Sequence, residues 1–126
     1  MALALITLCA APAQKAPAHE EMVPYREWLV TRQRPDFPGP CCGAGPGTDQ
    51  YYASKYEPNP AEPGGYLVWI DGFNKPAIVP PTRVIPEDVN PTGRGVIWMS
   101  TNWPNSSDHA LIEPGVVFCF EPGTGL

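Results

Sequence analysis

The chain has few of the residues from which most catalytic and nucleic-acid-binding sites are built. Only two of its 126 residues are histidines, and charged side chains make up 17% of it. His19 and His109 lie far apart, and there is no HExxH pair, no glycine-rich phosphate loop ahead of a helix and no calcium-loop spacing. Asp108 and His109 follow Ser106 and Ser107, but neighbours in a polar loop rarely orient one another as a nucleophile, base and acid must. A solvated loop accounts for them better. Asp71, Glu87 and Glu113 are scattered, with no spacing that would bring them together. Eight basic residues against thirteen acidic ones give a net charge of −5 with no basic stripe, which argues against nucleic acid or anionic lipid as a partner. No apolar run is long enough to cross a bilayer, so no transmembrane segment is expected.

Proline and glycine, by contrast, are abundant, at 18 and 12 residues. They separate short apolar and aromatic runs, the pattern of a small turn-rich β domain, and the length suits a single domain. The N-terminus reads differently. An apolar stretch from Met1 to Ala11 is followed by the small-residue sites Ala11-Pro12-Ala13 and Ala16-Pro17-Ala18, which predicts a signal peptide over residues 1–18, a mature domain over 19–126 and a periplasmic or secreted location. Leu8 before Cys9 is a poor match to a lipidation site.

Along the mature chain, Met22, Tyr25, Trp28 and Leu29 recur at helical spacing behind Pro24, which suits a first helical turn. The spacing predicts one amphipathic helix over 22–33, stopped by Pro35. Strands are expected over 50–56, 66–70, 73–79, 82–85, 96–100 and 116–120. Asp71-Gly72 marks a hairpin between the second and third of these, Asn90-Pro-Thr-Gly a turn, and 101–113 a polar loop. The expected fold is α+β: an N-terminal helix packed on a strongly bent antiparallel sheet or half-open barrel.

The cysteines are the sharpest feature. Cys41 and Cys42 are adjacent in PGPCCGAGPG, and Cys119 lies in the apolar run near the C-terminus. Loss of a signal peptide would leave these three in a compartment that oxidises thiols. One of the vicinal pair is expected to bridge to Cys119, written first as Cys42 with Cys41 as the alternative. Three other readings stay open: a vicinal Cys41–Cys42 disulfide, a soft-metal site of Cys41, Cys42 and Cys119 with His109, and thiol-redox chemistry at Cys41 and Cys42. Adjacent cysteines suit a structural zinc site poorly, and no Cys-x-x-Cys begins a helix.

The order of a helix with a central Trp, then Cys-Cys, Asp71-Gly72, Val79-Pro80-Pro81, Pro91-Thr-Gly and Cys119-Phe120 before Pro122 resembles a family of small exported bacterial proteins of uncharacterised function. The resemblance implies export and a cysteine-stapled fold, with no activity, substrate or cofactor attached. Members often carry two further cysteines where this chain has Gln50 and the Trp98-Met99 pair.

What remains distinctive is aromatic. Tyr66, Val68 and Ile70 share one face of a strand, and Leu67 and Trp69 share the other, so both faces are apolar. One face must meet the core, and the other either closes or forms a surface for a protein or carbohydrate ligand. Trp103, Trp98 and Trp69 are the candidate contacts. The functional expectation is a non-enzymatic exported structural or ligand-binding module with no cofactor and no bound metal; the alternative is the thiol or soft-metal protein acting through Cys41 and Cys42.

Overall fold

The structure is a computed structural model and describes residues 21–86, 90–102 and 112–123. Trp103, His109, Ser106, Ser107, Asp108 and the expected signal peptide lie outside the described residues.

The expected helix is shorter and broken. A 3-10 turn at Val23–Tyr25, with Pro24 where a missing N–H costs nothing, leads into α1 at Arg26–Val30. Tyr25 leaves helical geometry at φ −108 and ψ 14. Thr31 ends the helix by donating its hydroxyl to the Trp28 carbonyl at 2.8 Å. The chain beyond it is taken by a tight loop in which Gln33 bridges to Pro40, and the Arg34 N–H donates to the Gly39 carbonyl at 2.8 Å. These local bonds compete with continued helix and stop it before Pro35. The apolar face is nevertheless the expected one: Met22 and Leu29 are fully buried, with Tyr25 and Trp28 packed against them.

Among the described residues six strands follow: β1 (Asp49–Tyr52), β2 (Lys55–Pro58), β3 (Tyr66–Trp69), β4 (Ala77–Val79), β5 (Val96–Asn102) and β6 (Glu113–Glu121). They form two antiparallel sheets, in the orders β1-β5-β6 and β2-β3-β4. The expected single bent sheet or half-open barrel is therefore corrected to two small sheets. The strand expected over 50–56 is divided between them. The Ala53 N–H still donates to Gly95 of the first sheet at 2.9 Å, whereas the Ser54 N–H donates to Trp69 of the second at 2.8 Å. A chain that changes sheets in this way is how packed sheets make corners.

Alternation along β5 sets the layers. Val96 and Trp98 face the core under the helix and the Cys-Cys loop; Ile97 and Met99 face a second core, shared with Val68, Ala77, Val79 and Phe120. The first sheet is thus covered on both sides. The β3–β4 hairpin aligns Tyr66 with Val79 and Val68 with Ala77, with Gly72 at φ 92 in its turn. It is shorter than expected because Phe73 instead bridges to Ile112.

Residues 82–85 are not a strand of either sheet. A 3-10 turn at Pro81–Arg83 delivers Val84 and Ile85 to the outer edge of β6, where the Ile85 N–H donates to Phe120 at 2.8 Å. Arg83 Nη1 donates to the Val117 carbonyl on the same edge at 2.7 Å. A side chain and a loop thereby occupy backbone groups that would otherwise be open to another strand. The turn at Asn90 forms as expected, and Asn90 Nδ2 ties it to the carbonyls of Arg94, at 2.9 Å, and Pro122, at 3.1 Å.

Candidate functional site: the outward face of the second sheet

The disulfide joins Cys41 to Cys119, with Cα atoms 5.9 Å apart across a sequence separation of 78. This corrects the first-written pairing of Cys42 with Cys119 in favour of the alternative partner. The reason lies on both sides of the bridge. Consecutive residues send their side chains in different directions, and it is Cys41 that is buried under the sheet, while Cys42 is only partly buried with its sulfur 3.7 Å from Gln50 Oε1. On β6, Trp98 opposes Cys119 but Met99 opposes Val117, so Phe118 is an extra, bulged residue. A bulge turns two consecutive side chains to one face. Phe118 and Cys119 accordingly both pack on the helix side, and that places the Cys119 sulfur within reach of Cys41.

No described cysteine is a free thiol, and no group of three or more histidines, cysteines and acids among the described residues could hold a metal ion. Gln50 and Trp98 oppose each other directly across β1 and β5.

The three tryptophan candidates separate. Trp98 is fully buried beneath the helix, with its indole N–H lacking an acceptor among the described residues, so it offers no surface to a ligand. Trp103 lies outside the described residues. Trp69 is half-buried on β3, facing away from the core, and Lys55 Nζ sits 4.5 Å from its ring centroid.

Strand register gathers the other members of that face. Tyr56, Val68, Ala77 and Val79 belong to the inner core, so Lys55, Glu57, Leu67, Trp69 and Ile78 point outward. Two cross-strand rows result. Lys55 opposes Trp69, and Glu57 opposes Leu67, which opposes Ile78. Ile78 is 61% exposed, the most exposed large apolar side chain in the described structure, between the buried Ala77 and Val79. The face therefore presents an apolar centre with one cation and one anion along its β2 margin. Sequence reasoning identified Leu67 and Trp69 but missed Ile78, Lys55 and Glu57. The run Ala77-Ile78-Val79 is apolar throughout, so only the register shows that its middle residue faces out.

Elsewhere, polar side chains serve the fold. The Arg32 guanidinium lies 4.8 Å from the Trp28 ring centroid and 3.7 Å from the buried Glu121 carboxylate. Arg94 lies 3.9 Å from the Tyr52 ring centroid and pairs with Glu21 at 2.9 Å. Burial, with a smaller contribution from the Asp49 carboxylate, raises the Tyr51 phenol far above its ordinary range. The Tyr52 phenol is raised as well, chiefly by burial and against the pull of Arg94.

No family model, curated protein or solved structure matches this chain.

Proposed function

We propose that the protein is an exported, non-enzymatic binding module of the small bacterial family it resembles, held by the Cys41–Cys119 staple and acting through the outward face of its second sheet. The observation that carries this reading is the exposed Ile78 flanked by the half-buried Leu67 opposite it and by Trp69. The core between the two sheets is filled by the opposite faces of these strands, so folding does not require their outward positions to be apolar. A contiguous apolar surface that folding does not use is a common mark of a binding site. Export fits the disulfide, which persists in oxidising compartments, and none of the described helices is long and apolar enough to cross a membrane.

The ligand class is a protein or a carbohydrate. A sugar would stack on Trp69, where the Lys55 ammonium already lies over the ring, so a protein surface that leaves this pair in place is favoured. The alternative of thiol or soft-metal chemistry at Cys41 and Cys42 gains no support, because the Cys41 sulfur is bridged and buried. The test is a photo-crosslinking amino acid at position 78 in the exporting host, with position 23, also exposed, as a control. Covalent products specific to position 78 are expected; none above the control refutes the reading.

A further inference from the structure

The geometry points to a second copy of this chain as an occupant of that face, through a two-fold, sheet-on-sheet contact. This inference rests on the proposed working surface and names its partner. The two outward rows are complementary to each other. One reads Lys55 and Trp69 across the strands, and the other reads Glu57, Leu67, Ile78. A two-fold axis lying across the strands between the rows lays the first row of one copy on the second row of its partner. Cation then meets anion at the β2 margin, and apolar side chains meet apolar ones at the centre. An isologous contact requires that if one residue touches another, the reverse also holds, and this arrangement satisfies it twice with one cation and one anion per copy. Sheets that stack face to face keep their strands within about 30° of one another, which such an axis allows.

Other faces are less suited. The outer edge of β6 is occupied by Arg83 and Ile85. Phe37, 58% exposed, lies against the Arg34 guanidinium, which also faces Phe118 and lies 4.0 Å from the Asp36 carboxylate, so the charges of that patch are already paired within the chain. The outward face of the second sheet spans only three short strands, less than the roughly 800 Å² per partner of a standard interface, so a weak dimer is expected, with Kd of about 10 to 100 µM.

Sedimentation equilibrium on the full chain, from about 5 to 500 µM at 0.15 M salt, tests it, a range that brackets the expected Kd. Lys55→Glu and Glu57→Lys should each weaken association roughly tenfold or more, since each sets like charges opposite one another twice. The double variant Lys55→Glu/Glu57→Lys restores opposite charges and should return to within about threefold of wild type. Melting temperatures of all three report whether folding is intact. A wild type that stays monomeric throughout, or a double variant as weak as the singles, overturns the inference. The crosslink at position 78 separates the two readings. A product with another molecule and no dimer of this chain sinks self-association and leaves the binding face standing; no product at all sinks both.

Discussion

Replacing Cys119 with serine should remove a large part of the stability of this protein, and the size of the loss follows from the chain length the bridge encloses. Cys41 and Cys119 are separated by 78 residues. Closing a loop of that length restricts the unfolded chain by roughly 4.5 kcal/mol on the chain-entropy account. Both sulfurs are buried in the core under the helix, so a serine hydroxyl in that place adds a desolvation cost of about 1 kcal/mol or more if it finds no partner. Against a typical total of about 5 to 15 kcal/mol, a loss near ~5 kcal/mol lowers the melting temperature by roughly 20 °C or more for a domain of this size. Urea denaturation of Cys41→Ser, Cys119→Ser and the double variant, each with and without reductant, is the assay. The two single variants and the double should be equally destabilised under oxidising conditions, because each removes the same bond. All three should approach wild type once wild type is reduced. A Cys41→Ser variant as stable as wild type without reductant would refute the pairing, and a Cys119→Ser variant unchanged would refute the staple.

Trp98→Ala should cost about 3 to 5 kcal/mol through the cavity it leaves, while Trp69→Ala should cost roughly 1 kcal/mol, mostly the lost Lys55 contact; paired denaturation curves compare them. Tyr56→Phe should cost about 1 to 2 kcal/mol, because the phenol oxygen accepts the Gly123 N–H at 2.8 Å and its hydroxyl reaches the Gly123 carbonyl at 3.2 Å, which fastens the end of β6; the loss appears as a lower urea midpoint at unchanged slope. Stability should fall at alkaline pH. Tyr51 and Tyr52 have folded-state pKa values raised above the unfolded value near 10, so their contribution is complete below about pH 10 and is lost as pH rises through the folded values. Denaturation midpoints between pH 8 and 11.5 check this, and Tyr51→Phe should flatten the decline.

What the sequence determined by itself was what neighbours along the chain control. The spacing of Met22, Tyr25, Trp28 and Leu29 defines a helix face whatever the helix length, since a 3.6-residue period survives a break at Tyr25. Asp71-Gly72 and Asn90-Pro-Thr-Gly mark turns because turn conformations depend on the residues in them, as the positive φ of Gly72 and Gly93 shows. The tertiary structure decided what depends on register between distant strands. The run 50–56 looks like one strand, because alternation is the same on either side of a change of sheet at Ala53 and Ser54. Cys41 and Cys42 are equivalent in composition and differ only in which of them lies beneath β5 and β6. The bulge at Phe118 that turns Cys119 toward the helix is defined by its pairing with Trp98 and Met99, more than fifteen residues away along the chain. Trp98 and Trp69 sit in equally apolar strands; one is core and the other surface because the helix covers one side of the first sheet and nothing described covers the outer side of the second. Local periodicity fixes which residues share a face, and only long-range packing fixes whether that face meets water.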